Sequence, residues 1–193
     1  MLLIRQAAVY APEYLGVRDV LVCGGVIEAV EEQIEGELPF CKVIDGRGKK
    51  LTPGFIDPHV HITGGGGEGS FHTQVPPVKL SELLQGGVTS LVGLLGTDGI
   101  SRNMESLLAR GKALKEEGLT VYLCTGSYGY PSVTLTGDIR KDIMFVEEII
   151  GVKLALSDHR APNVTLDELV RLASDARVAG MLSGKCGMIT LHM

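Results

Sequence analysis

Two histidines one residue apart, His59 and His61, stand where the strand-like run Gly54-Phe55-Ile56-Asp57 ends. Strand side chains alternate faces, so residues two apart point the same way, with Cα atoms roughly 6.6 Å apart. Two imidazoles so placed suit one metal ion. A bare H-x-H reads as readily as two surface histidines in a loop, but a position at the C-terminal end of a first barrel strand favours metal. Lys153 lies in the apolar segment Gly151-Val152-Lys153-Leu154-Ala155-Leu156. Burial there would lower its pKa. A neutral amine can add CO2 to give a carbamate, an anionic two-oxygen ligand able to bridge two metals. On this segment alone a salt-bridged strand-end lysine is the plainer reading. His192 closes Met188-Ile189-Thr190-Leu191-His192. Three strand ends, each offering a nitrogen ligand or its precursor, are better read jointly than as three unrelated residues. Imidazole with a hard oxygen bridge suits Zn2+, with other divalent ions also able to fit.

The elements that would carry these residues change character near Leu51-Thr52-Pro53-Gly54. Before it, Ala8–Tyr10, Asp19–Cys23, Val26–Val30 and Lys42–Asp45 read as short strands between turn residues, with no room for a crossover helix. Residues 1–52 are therefore expected to form a small β-sandwich. From 53 to 193, strands alternate with helical stretches. Strands are expected at Phe55–His61, Val88–Leu94, Leu119–Cys124, Val152–Leu156 and from Met188. Helices are expected over Val78–Gln85, Asn103–Glu117, Asp142–Ile149 and Leu166–Ala179, the last opening on the capping box Thr165-Leu166-Asp167-Glu168. Strands recur every ~30 to 37 residues, near the ~31 of an eightfold βα barrel. The fold class is α/β: a (β/α)8 barrel cut off after about five strands, preceded by the β-domain. An open doubly wound sheet fits less well, because strand 1 is not followed by G-x-G-x-x-G and a helix.

Composition narrows the function classes. A net charge of −5, with scattered Lys and Arg, gives no footprint for nucleic acid. No apolar run approaches a membrane span, and a charge at Arg5 after three apolar residues argues against a signal peptide. A cytoplasmic protein is expected. Cys23, Cys41, Cys124 and Cys186 are far apart, without C-x-x-C, and read as reduced, mostly buried thiols.

The run Leu51-Thr52-Pro53-Gly54-Phe55-Ile56-Asp57-Pro58-His59-Val60-His61 resembles the signature of the amidohydrolase superfamily. Gly64-Gly65-Gly66-Gly67-Glu68-Gly69, Gly96-Thr97-Asp98-Gly99, Gly126-Ser127-Tyr128-Gly129 and Ser157-Asp158-His159-Arg160 resemble the isoaspartyl (β-aspartyl) dipeptidase family. The resemblance covers essentially the whole chain. It implies hydrolysis of β-aspartyl dipeptides by a hydroxide bridging two zinc ions. His59 and His61 would bind the more buried zinc, a carboxylated Lys153 would bridge both, and His192 would bind the second. Tyr128 would polarise the scissile carbonyl and stabilise the oxyanion. Gly66, Gly67 and Glu68 would line the substrate pocket, with Glu68 meeting the α-amino group. Thr97 would also contact substrate, and Arg160 would pair with a substrate carboxylate. A zwitterion with two carboxylates and an amine makes one Glu and at least one Arg sensible partners. The resemblance also implies a homo-oligomer.

The family's further histidine ligand, proton-shuttling aspartate and second substrate arginine have no counterpart in these 193 residues. The chain as written is accordingly expected to be inactive or very weakly active. Five barrel strands would also leave two unpaired edges. Two other readings compete with the dipeptidase. One is a cyclic amidase of the hydantoinase or dihydroorotase kind, against which Glu68, Thr97, Tyr128 and Arg160 argue. The other is a non-catalytic barrel fragment, which should hold no stoichiometric zinc.

Overall fold

The early strand-and-turn pattern becomes one mixed sheet, with β1 (Leu2–Tyr10), β2 (Tyr14–Cys23), β3 (Val26–Glu31), β4 (Lys42–Asp45) and β5 (Lys50–Leu51). The computed structural model describes residues 1–36, 38–161 and 163–193. They divide into two units, Met1–Gly54 and Phe55–Met193. In the first, the strand order is β3-β2-β1-β4, with β5 also paired to β1. The expected short strands are present, arranged among the described residues as a single sheet rather than two facing ones. Ala7, Val9 and Val20 form a buried cluster, backed by Ile4, Val22 and Leu51, and Leu3 is buried outside it.

Asp19 organises this unit. The β1–β2 register slips between Ile4 and Ala7, and Gln6 takes a left-handed φ of 57°. Such a bulge takes a backbone N–H off the ladder and needs another acceptor. The Asp19 carboxylate supplies it, accepting from Gln6 N at 2.9 Å, Ile34 N at 3.1 Å and Arg5 Nη1 at 3.0 Å. Burial would push its carboxyl pKa up, but the Ile34 and Gln6 amides and the Arg5 guanidinium outweigh it and hold the pKa below the usual range. A folded-state pKa below the unfolded one means stabilisation that is complete above the unfolded pKa and lost as pH falls through the folded one. We expect Asp19→Ala to cost this unit about 2–4 kcal/mol at pH 7, because several buried donors lose their acceptor. The gap between parent and variant in urea titrations should close below pH 4; a gap that persists in acid would contradict the assignment.

The second unit is a curled sheet of five parallel strands in the order β10-β9-β8-β7-β6. These are β6 (Phe55–Val60), β7 (Val88–Gly93), β8 (Thr120–Thr125), β9 (Ile149–Ala155) and β10 (Met188–His192). The connecting helices are α1 (Leu80–Gln85), α2 (Met104–Glu116), α3 (Ile139–Phe145) and α4 (Leu166–Ser183). This is the α/β half-barrel expected from the alternation. Its strands are apolar on both faces, as parallel strands covered by helices must be. Leu91, Val121, Leu123, Val152 and Leu154 join the helices in the main core, with Leu107, Leu114, Ile143, Leu172 and Ala176. Val92, Leu94 and Cys124 form a smaller cluster with Ile150 and Met188.

The caps account for the boundaries. The Asn103 side chain accepts from Ser106 N to start α2, and the Thr165–Glu168 capping box starts α4 as expected. Helix α4 runs to Ser183, four residues beyond expectation, and stops where Gly184 turns left-handed. The expected helix Asp142–Ile149 is corrected: α3 starts at Ile139, capped by Asp138, and Ile149 already belongs to β9. The apolar residue Ile149, the expected end of the helix, opens the strand instead, followed by Ile150. The cysteines are free as expected, but only Cys124 is buried; Cys23 and Cys186 are exposed and Cys41 is intermediate. Among the described residues, no helix is long and apolar enough to cross a membrane.

Candidate active site

All the residues singled out in the sequence lie at or just beyond the C-terminal ends of β6 to β10, or in the loops that follow. The β6–β7 register slips between Asp57 and Val60, at Pro58, which has no N–H to give the ladder. Asp57 Oδ1 accepts the His59 N–H at 3.1 Å within this irregularity. The two rings still stand together, centroids 5.4 Å apart and nearly perpendicular at 84°. His61 Nδ1 lies 3.2 Å from the carbonyl oxygen of Leu94, so it carries the proton and leaves the Nε2 lone pair free to ligate. Burial, then the positive charge of Lys153, then the other imidazoles hold the His59 pKa low. For His61 burial is again the largest cause, opposed by the Leu94 hydrogen bond and reinforced by Lys153 and His192. Both rings are kept neutral, the form that binds metal.

Lys153 is completely buried, and its Nζ has no hydrogen-bond partner. It projects from β9 on the face opposite Val152 and Leu154, with Nζ 5.3 Å from the centre of the Tyr128 ring. Burial pushes its pKa down to about 8, with weaker opposition from Cys124 and Asp158. An orphaned amine in a full-length strand costs stability and calls for a chemical explanation. Conversion to a carbamate that accepts metal ions supplies one. His59, His61 and Lys153 therefore fit a metal. Among the described residues, no three His, Cys, Asp or Glu side chains are grouped to hold an ion.

His192 ends β10 level with Ala155. Both its ring nitrogens face protein groups: Nδ1 is 3.0 Å from Tyr128 Oη, and Nε2 is 3.0 Å from Asp158 Oδ2 and 3.1 Å from Arg160 Nη2. Tyr128 is buried in the loop after β8, with the Arg160 guanidinium 5.3 Å from its ring centre. Arg160 Nη1 donates to Glu68 Oε1 at 3.1 Å. Thr97 Oγ1 reaches the same Glu68 oxygen at 3.5 Å. Glu68, Thr97, Tyr128, Arg160 and His192 thus form one connected group.

Gly66 and Gly67 line the cavity beside Glu68, and the backbone they adopt carries Glu68. Gly66 has φ 67°, and a Cβ there would come within 2.7 Å of the Thr73 carbonyl oxygen. Gly126 plays the same part beneath Tyr128: φ is 89°, and a Cβ would lie 2.6 Å from the Lys153 carbonyl oxygen. Only glycine meets both demands at either position. A cavity of about 330 Å³ opens beside Glu68 and Thr97, with Phe71 and Ile100 among its walls.

The amidohydrolase family profile matches residues 51–183. The chain belongs to the amidohydrolase family. Among solved structures, the β-aspartyl dipeptidase of the thermophilic, keratin-degrading Fervidobacterium islandicum AW-1 is 47% identical, with TM-score 0.94, over 99% of this chain and 53% of its own. The structure of that enzyme in complex with β-Asp-Leu gives 47% identity and TM-score 0.93, over 99% of this chain and 50% of its own. A dihydroorotase from Elusimicrobium minutum is 36% identical over 98 residues, 50% of this chain and 22% of that protein. This amidohydrolase chain therefore spans about half of the dipeptidase and about a fifth of the dihydroorotase. A D-hydantoinase from Thermus sp. shares the fold, at 22% identity and TM-score 0.66, over 100% of this chain and 40% of its own.

Three residues of this amidohydrolase site had no role from sequence. Asp158 joins Arg160 to His192. Arg102 donates to the carbonyl oxygens of Thr63, Gly65 and Val75, each at 3.2 Å, and ties the glycine loop to Asp98. Asp142, buried in α3, holds the far end of the Tyr128 loop. The Asp98–Arg102 i,i+4 spacing and the nearness of Asp158 to Arg160 left a trace in the sequence. The Asp158–His192 contact and the gathering of donors on Asp142 appear only on folding. His72 and His159, the remaining histidines, are exposed.

Proposed function

We propose that this chain belongs to an enzyme that hydrolyses β-aspartyl dipeptides at a two-zinc site, to which it contributes His59, His61, a carboxylated Lys153 and His192. The observation that carries this reading is the fully buried, unpartnered Lys153 amine beneath an opposed Glu68–Arg160 pair. The amine accounts for metal-dependent chemistry, and the pair for a zwitterionic substrate. Bound zinc would supply a water made nucleophilic near neutral pH and a Lewis acid for the carbonyl. The remaining work falls to side chains. Glu68 would exchange Arg160 for the substrate ammonium, and Arg160 would take a substrate carboxylate through its planar fork. Thr97 stands within reach of the same ammonium through Glu68. Tyr128 would turn its hydroxyl from His192 toward the scissile carbonyl oxygen and donate to it as charge develops there.

A cyclic amide carries no ammonium for Glu68 to hold, so a panel separates the two chemistries. With the half-barrel completed and loaded with zinc, the site should turn over β-Asp-Leu and leave dihydroorotate and hydantoins untouched, while the 193 residues alone should show little or no turnover; the reverse substrate preference would overturn the dipeptidase reading. On the same substrate Tyr128→Phe should lower kcat by about 10²–10³-fold with little change in KM, as for loss of one oxyanion donor. An equal loss in both parameters would give the hydroxyl a ground-state role instead.

A further inference from the structure

The loop leaving β9 holds a carboxylate that the proposed chemistry does not use. Asp158 is 5% exposed. Its Oδ1 accepts from the Arg160 backbone N–H at 2.8 Å and from Arg160 Nε at 2.9 Å. Its Oδ2 accepts from Arg160 Nη2 at 2.6 Å and stands 3.0 Å from His192 Nε2. One buried carboxylate thus grips the fork edge of the guanidinium and touches the imidazole at the end of the next strand. Ser157, just before it, has φ 56°, which turns the chain so that Asp158 faces back over the site.

We propose that Asp158 is a positioning residue that presets Arg160 for a substrate carboxylate. This rests on the reading of Arg160 as the carboxylate-binding group. Arg160 has two acidic partners of unequal character. Asp158 is buried and bidentate, whereas Glu68 is 41% exposed and touches only Nη1. Arrival of substrate displaces the weaker, solvated partner. Glu68 is released toward the ammonium, while Asp158 keeps Arg160 in one rotamer. The entropy of fixing a long side chain is then lost on folding rather than on binding.

The test compares Asp158→Asn and Asp158→Glu with the parent by thermal unfolding, by nitrogen-15 NMR of the Arg160 Nε–H, and by steady-state kinetics on β-Asp-Leu with the half-barrel completed. An asparagine offers one acceptor and turns an NH2 toward the guanidinium. Asp158→Asn should lose the slowly exchanging Arg160 Nε–H signal. It should raise KM roughly tenfold or more, as expected for losing a charged hydrogen bond, while kcat stays within about threefold. Asp158→Glu keeps the charge on a longer arm and should fall between the two in KM; it decides the matter if the asparagine variant does not fold. Unchanged Nε–H protection and KM in a folded variant would overturn the proposal, as would a collapse of kcat at constant KM. Should the completed parent fail to cleave β-Asp-Leu, the dipeptidase reading falls, and the Nε–H signal still decides the role of Asp158.

Discussion

Lys153→Met is expected to yield a protein that is more stable than the parent and unable to hold the proposed zinc ions. Methionine has nearly the shape of the lysine stem without the ammonium. In the metal-free state the parent buries an amine with no partner, and removing that group should stabilise the second unit by about 1–3 kcal/mol. In the zinc-loaded state the order reverses, because the variant has lost the group placed to become a bridging anion. With the half-barrel completed, the proposed hydrolysis of β-Asp-Leu should fall by on the order of 10³-fold or more, several kcal/mol of lost transition-state stabilisation. Urea titration with and without zinc, together with metal analysis of the dialysed protein, tests both halves. Stoichiometric zinc in the methionine variant would remove Lys153 from the site. A destabilised metal-free variant would show that the amine has a partner in solution.

The second large effect should come from Asp142, which touches no substrate group. Its carboxylate accepts from Thr125 Oγ1 at 2.6 Å, Leu135 N at 2.9 Å, Thr136 N at 2.9 Å and Thr136 Oγ1 at 2.7 Å. Those four donors bracket the loop that carries Tyr128. Asp142→Ala leaves two backbone N–H groups and two hydroxyls to find new acceptors inside the fold. We expect a loss of about 3–5 kcal/mol, since each buried unsatisfied donor costs about 1–3 kcal/mol and the hydroxyls can partly reorient. Thr125→Val removes one of the four and should cost roughly 1 kcal/mol. If alanine at 142 costs no more than valine at 125, the carboxylate is not the hub the geometry makes it.

Much of this was open to reading along the chain because the relevant signals are local. The alternation of apolar runs with capped helices dictated a parallel α/β arrangement. The spacing of His59 and His61, and the one lysine in an apolar strand, marked the ends of β6 and the middle of β9. Glycine signalled tight turns at Gly66 and Gly126, and the Thr165–Glu168 box placed the start of α4. The first unit shows the limit of that reading: strands were evident, but whether they lie in one sheet or two depends on pairing partners far apart in sequence. The register slip at Pro58 was likewise invisible, because alternation assumes a regular strand.

The sequence by itself determined the half-barrel, the donor types at its strand ends and the family they resemble. Periodicity, capping and residue chemistry act within a few positions of one another. Only the tertiary structure decided that the Lys153 amine is left without a partner, that Glu68 meets Arg160 across 92 positions, and that Asp158, two residues from Arg160, also touches His192. Burial and charge pairing are properties of what folding brings near, and no short window along the chain contains both halves of the Glu68–Arg160 or Asp158–His192 contact.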